Sequence, residues 1–99
     1  MIQSFKHKGL KDLFETGNSR GVNPQWKNRL NLRLSVLDLA QSLEEIELSS
    51  FRLHELKGER IGYWAISVTG NYRMTFRPQT NDGEEEAFDV WDVDLKDYH

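Results

Sequence analysis

The patterning of this 99-residue chain predicts an α+β domain, with two N-terminal helices packed on one face of a small, largely antiparallel sheet. Three observations carry that expectation. Apolar residues recur at helical spacing as far as Ala40, the period switches to two from about Gly62, and tight-turn residues separate the alternating runs. At this length residues 1–99 are expected to share one core as one domain.

Ile2-Gln3-Ser4-Phe5 is bounded by apolar residues and fits a short edge strand. A first helix fits Lys8 to Glu15, with Leu10, Leu13 and Phe14 on one face and a stop at Thr16-Gly17-Asn18. Asn23-Pro24 then reads as an N-cap followed by proline at the first helical position, where the missing N–H costs nothing. The second helix runs from about Pro24 to Ala40. Its apolar face, Trp26, Leu30, Leu34 and Leu37 flanked by Leu32, Val36 and Leu39, is so wide that it is expected to pack against a sheet or another helix. Lys27, Arg29 and Arg33 on its polar side read as a solvated face.

Ser42 to Ser50 is a connector. From Gly62 to Val68, Trp64, Ile66 and Val68 share one face of a strand, and Tyr72, Met74 and Phe76 do so in the next, with Thr69-Gly70-Asn71 as the hairpin turn. Pro78 to Glu86 reads as a loop whose turn chemistry sits at Asn81-Asp82-Gly83. A last strand spans Ala87 to about Leu95, in which the phase set by Phe88 and Val90 shifts to Trp91, Val93 and Leu95. That shift predicts a β-bulge near Val90-Trp91.

Composition narrows the function classes. With 37% apolar and 11% aromatic residues beside 29% charged ones, an ordered core is expected. The chain has no cysteine, which excludes disulfides, a thiolate nucleophile and a thiolate zinc site and fits a reducing cytoplasm. Nothing approaches the apolar length of a membrane span, and Met1-Ile2-Gln3-Ser4-Phe5-Lys6 lacks the apolar region of a secretion signal, so a cytoplasmic protein is expected. The net charge of -3 is divided unevenly: residues 82–97 hold eight acids and one base, whereas the rest of the chain holds twelve bases and eight acids. A basic body with an acidic C-terminal hairpin is compatible with a phosphate-rich partner. The sequence has no G-x-S-x-G elbow, Walker loop, H-E-x-x-H or Cys-His metal spacing, so neither a metal nor a cofactor is expected.

What remains is a set of proton-transfer and phosphate-binding groups: His54, Lys57, Arg73, Tyr98 and His99. Cleaving RNA through its own 2′-hydroxyl requires a base, a cation for the crowded phosphorane and an acid for the leaving 5′-oxygen, and these residue types fill all three roles. Each also has a plain structural reading. His54 fits a half-buried hydrogen-bonded histidine with Lys57 in solvent, Arg73 fits a salt bridge to Asp89, Asp92 or Asp94, and Tyr98-His99 fits a frayed end. Because Tyr72 and Met74 point to the core, Arg73 points away from it, beside Thr75 and Arg77 on the opposite sheet face. His7, between Lys6 and Lys8, reads as a surface residue.

The strings Met1-Ile2-Gln3-Ser4-Phe5-Lys6-His7-Lys8-Gly9-Leu10, Phe51-Arg52-Leu53-His54-Glu55-Leu56-Lys57-Gly58, Gly62-Tyr63-Trp64-Ala65-Ile66, Gly70-Asn71-Tyr72-Arg73-Met74-Thr75-Phe76 and Asp97-Tyr98-His99, in this order and spacing, resemble the HigB-type toxins of the RelE superfamily over nearly the whole chain. The resemblance implies the compact RelE-like microbial ribonuclease fold. It also implies a type II toxin that enters the ribosomal A site and cuts mRNA without a metal, leaving a 2′,3′-cyclic phosphate. By position it marks His54, Lys57, Arg73, Tyr98 and His99 as the active site, with Asn71 contributing nearby. It assigns Arg73 and Lys57 to the phosphate, His54 and His99 to proton transfer and Tyr98 to positioning the nucleotide, and Arg77 joins Asn71 as an expected RNA contact. The implied partner is a HigA-type helix-turn-helix antitoxin, through which alone the toxin meets DNA. Two departures stand out: Pro78 to Ala87 is longer and more acidic than the family's turn, which should weaken ribosome affinity, and Glu55 stands where proline is expected. The competing function classes are a non-cleaving RNA- or ribosome-binding inhibitor of translation and an α+β interaction protein.

Overall fold

The computed structural model describes residues 1–81 and 87–97. Helix α1 (Lys8–Thr16) starts at His7, whose Nδ1 accepts from the Leu10 N–H at 3.1 Å, and ends at Gly17 (φ 78), whose N–H returns to the Leu13 carbonyl. His7 is therefore a helix cap, a structural duty that the surface reading had not assigned it. The second helix opens as a 3-10 turn, Pro24–Trp26, capped by Asn23 Oδ1 accepting from the Gln25 N–H, and continues as α2 (Lys27–Leu39). A short helix, α3 (Leu43–Glu47), occupies the expected connector. Ser42 Oγ accepts from the Glu45 N–H, and the Glu45 carboxylate accepts in return from the Gln41 N–H at 2.7 Å, a reciprocal cap that places Ile46 in the core.

Four antiparallel strands follow in the order β1 (His54–Glu55), β2 (Trp64–Ser67), β3 (Tyr72–Asn81) and β4 (Ala87–Asp97). The β2–β3 hairpin turns where expected: the Thr69 hydroxyl accepts from the N–H groups of Asn71 and Tyr72. The predicted N-terminal edge strand is reduced to isolated parallel bridges, Ile2 to Val90 and Phe5 to Val93, which cover the outer edge of β4.

Residues 78–81 correct the predicted loop, because they continue β3 and pair with β4 as far as Asn81 opposite Ala87. Beyond Phe76 no β2 residue pairs with β3, so Pro78 sits in what is locally an edge strand and its missing N–H interrupts nothing on that side. Asp82 to Glu86, the rest of the acidic segment, lie outside the described residues.

The core lies between the helices and one sheet face. Leu10 from α1, Leu30, Leu34 and Leu37 from α2, and Ile46 from α3 meet Ile66, Met74, Phe76, Val90 and Val93, all fully buried or nearly so. The full apolar width of α2 is not used: Leu32 and Leu39 remain 56% and 76% exposed. Arg29 and Arg33 are not simply solvated either. They donate to the carbonyls of Val68 and Ser67 at 3.0 and 2.6 Å, and Arg33 lies over the Phe51 ring, pinning α2 to the end of β2. Burial, and then the neighbouring Arg29, lower the pKa of Arg33.

The start of α1 touches the 19–22 connector backbone to backbone. A methyl at Gly21 would lie 2.6 Å from Gly9 Cα, and one at Gly9 would overlap the Gly21 carbonyl oxygen. Gly9→Ala should therefore cost about 1–3 kcal/mol of overpacking. At roughly 4–8 °C per kcal/mol for a domain of this size, thermal unfolding should show a lower Tm, and an unchanged one would mean that the contact is soft.

Candidate active site

Residues opposite one another in an antiparallel ladder share a face, so the register decides which polar groups can meet. His54 faces Ala65, Ala65 faces Thr75 and Thr75 faces Asp94, while Ser67, Arg73 and Lys96 form the next row. Both rows point away from the helices. His54 and Arg73, nineteen residues apart in sequence, meet there with Arg73 Nη1 2.9 Å from His54 Nε2.

That contact settles the histidine's tautomer. A guanidinium only donates, so Nε2 must hold a lone pair; a carbonyl only accepts, so Nδ1, 2.9 Å from the Arg52 carbonyl, must carry the hydrogen. The Arg52 carbonyl is aimed by an unusual backbone, since Arg52 adopts φ 58 and Ser50 φ 66, in the left-handed region that non-glycine residues rarely enter. The sequence does not mark Arg52. Nothing in its residue type signals a positive φ.

Beside the pair lies a cleft of about 300 Å³ lined by Arg52, Ser67, Val68, Thr69, Gly70 and Arg73. A larger groove, about 370 Å³, runs along the outer side of α2 past Leu32, Val36 and Leu39, but its walls are apolar and bring no acid–base pair together. The chemistry therefore points to the smaller cleft. Of the carboxylates that the sequence offers Arg73, Asp94 binds Lys96 at 3.2 Å, Asp92 lies 3.7 Å from Arg77, and Asp89 accepts from Gln3 Nε2 at 2.9 Å.

Lys57 is exposed just before the 3-10 turn Gly58–Arg60, on the loop that leaves β1. Asn71 is exposed at the hairpin tip. Arg77 stands two residues beyond Thr75 on the same face and lies over Trp91, its partner in β4. Tyr98 and His99 lie outside the described residues; β4 is described to Asp97, which faces Tyr72 beside the Arg73 row.

A second polar cluster shares this sheet face. β4 carries one extra residue opposite β3 between Thr75 and Arg77, and Asp92, at φ 57, takes up the kink. The bulge lies one to two residues beyond the predicted position. It separates Val90 and Val93, both core residues, and leaves Trp91 on the outer face, not in phase with Val93 as expected. Tyr63 Oη donates to Asp92 Oδ2 at 3.0 Å and Ser4 Oγ to Oδ1 at 3.2 Å. Burial by itself would raise the Asp92 pKa, but these hydrogen bonds, with the charges of Lys6 and Arg77, outweigh it and hold the carboxyl below its usual value.

A sequence profile of RelE-like HigB toxins of type II toxin-antitoxin systems matches residues 3–93. The chain belongs to this HigB-like toxin family. The endoribonuclease HigB of Proteus vulgaris is 46% identical to the HigB-like chain over 99 residues, covering all of both. The fold also matches a YoeB/ParE toxin from Agrobacterium tumefaciens, with a TM-score of 0.51 at 16% identity over 99% of this chain and 97% of that one. At that identity the likeness speaks for the fold alone, and it agrees with helices packed on a four-stranded antiparallel sheet.

Two outcomes follow from this geometry. Long-range nitrogen-15 NMR of the HigB-like chain at neutral pH should find His54 protonated on Nδ1, and an Nε2–H tautomer would show that Arg73 does not hold the ring. Asp92, whose pKa is lowered on folding, stabilises the fold above its unfolded value of about 3.9, and that stability is lost as pH falls through the lowered folded value. Asp92→Asn should therefore lower the urea midpoint at neutral pH and have a much smaller effect once the pH is below the lowered folded value. An equal loss at both values would assign Asp92 a role independent of its charge.

Proposed function

We propose that this toxin cuts mRNA in the ribosomal A site by metal-independent attack of the RNA's own 2′-hydroxyl. Membership in the HigB-like family, and 46% identity over the full length to an endoribonuclease, make the chain an endoribonuclease toxin with an antitoxin partner. The observation that carries the mechanism is the Arg73–His54 contact, which pairs a phosphate-binding fork with an imidazole whose Nε2 lone pair is kept ready.

As RNA enters, phosphate oxygens take over the Arg73 guanidinium and the 2′-hydroxyl takes its place at His54 Nε2. His54 then accepts the 2′ proton, the 2′-oxygen bonds to phosphorus, and the bond from phosphorus to the 5′-oxygen breaks. His99 donates the proton that the 5′-oxygen needs, so the products are a 2′,3′-cyclic phosphate and a 5′-hydroxyl. Arg73 and Lys57 stabilise the charge of the phosphorane, Tyr98 stacks on or positions the A-site nucleotide, and Asn71 and Arg77 contact the RNA. The roles of Lys57, Asn71, Tyr98 and His99 rest on the family resemblance. The toxin acts in the cytoplasm, where ribosomes are, and a HigA-type helix-turn-helix antitoxin neutralises it and links it to DNA.

Primer extension on a defined mRNA translated in a purified bacterial system tests this directly. Wild-type protein should give new 5′ ends only when ribosomes are present. Arg73→Ala should reduce them about 100- to 1,000-fold and His54→Ala by about 100-fold or more. Cleavage of naked RNA at the same rate would sink the ribosome dependence. Arrested translation with intact mRNA would replace the enzyme with a non-cleaving inhibitor.

A further inference from the structure

Two cations gather beyond the His54–Arg73 pair around a single aromatic ring, and a third stands beside them. Lys6 Nζ and the Arg60 guanidinium lie 5.1 and 5.2 Å from the centre of Tyr63, and Lys6 also donates to Tyr63 Oη at 3.4 Å. Arg77 joins them through Asp92, which accepts from Tyr63. The cations come from the N-terminal segment, the 58–60 turn and β3, so the tertiary fold alone assembles them. Among the described residues, the carboxylate paired with this group is Asp92. That excess of like charge opposes folding and favours an anion.

Their placement is linear. Arg73, Thr75 and Arg77 alternate along one face of β3, about 7 Å apart. Arg60 Nη2 reaches Thr75 Oγ1 at 3.4 Å and thereby fills the gap between the two arginines. A row of guanidinium groups thus runs from the cleavage pair along the strand, with Lys6 at its side. At the far end, beside Arg77, the Trp91 indole N–H is buried with no acceptor among the described residues.

We propose that Lys6 and Arg60, with Arg77 and organised by Tyr63 and Asp92, form a phosphate-binding track that grips the RNA backbone next to the scissile phosphate. The proposal rests on the endoribonuclease reading and adds residues to it. Even spacing that begins at the cleavage pair suits a polyphosphate strand better than the irregular carboxylates of an acidic protein. Messenger and ribosomal RNA present the same backbone chemistry, so the source is left to the experiment.

The test compares the wild type with Lys6→Gln, Arg60→Gln, the double variant and the charge-retaining Lys6→Arg, each checked for an unchanged thermal transition. Binding is measured to a 2′-O-methyl RNA oligonucleotide, which cannot be cut, and to ribosomes with an empty A site, both over a range of salt. Each lost contact to single-stranded RNA should lower the slope of log K against log salt by about 0.7, and the double variant by about 1.4, with Lys6→Arg close to wild type. A change with the oligonucleotide assigns the track to mRNA, and a change with ribosomes alone assigns it to ribosomal RNA. Unchanged slopes and affinities on both probes overturn the proposal, and weaker antitoxin binding by the same variants would then assign the surface to a protein partner. Because neither RNA probe requires cleavage, the track can fail while the wild type still cuts mRNA, and it can stand if the wild type does not.

Discussion

One extra residue in β4 organises both faces of the sheet. In a strand, a one-residue slip exchanges the two faces, so an unbroken β4 could not send Phe88 and Val90 to the core together with Val93 and Leu95. Asp92 absorbs the mismatch in a left-handed backbone conformation, and Ser4 braces it by accepting from its N–H at 2.8 Å while donating to its carboxylate. The bulge therefore keeps Val90 and Val93 buried, places Lys96 opposite Arg73, and turns the Asp92 carboxylate towards Tyr63 and Arg77. The N-terminal segment depends on the same place, since its parallel bridges to β4 fall at Val90 and Val93 on either side of the kink.

The division of labour between the faces explains how so small a chain holds a polar site. The helices take one face and supply nearly all the apolar burial, which leaves the other free to carry arginines, histidine and threonine. Thr75 shows how closely that outer face is built: it is completely buried although it points away from the helices, beneath the Arg60 guanidinium. Arg29 and Arg33 tie α2 to the carbonyls at the end of β2, holding the hairpin whose turn residues line the cleft. Basic residues thus serve two ends here, one mechanical at the helix and one chemical on the sheet.

Likeness to HigB toxins across the whole chain accounts for the family and the activity class. The structure adds how His54 is held: the Arg52 carbonyl and the Arg73 guanidinium, an obligate acceptor and an obligate donor, sit on opposite sides of one imidazole ring. Two left-handed residues just before β1 set the angle of that carbonyl. Local strain in the loop is exchanged for a defined proton position in the site.

Local chemistry in the sequence determined a good part of this protein. Asn23-Pro24 and Gly17 mark helix ends because caps act within a turn, Thr69-Gly70-Asn71 marks the hairpin, and the phase break after Val90 announces the bulge. Residue types and order also carried the family and drew attention to His54 and Arg73. Helix α3 escaped notice because Ser42 and Glu45 cap only one and a half turns, too few for periodicity to register. Residues 78–81 look like a loop in sequence because their proline and polar side chains are tolerated in a strand only where β3 has lost β2 and kept β4, a long-range circumstance. The contact between His54 and Arg73, the tautomer it imposes and the gathering of Lys6 and Arg60 on Tyr63 beside Arg77 were decided by tertiary structure. Each depends on strand register and on segments far apart in the chain, and no local spacing encodes such distances.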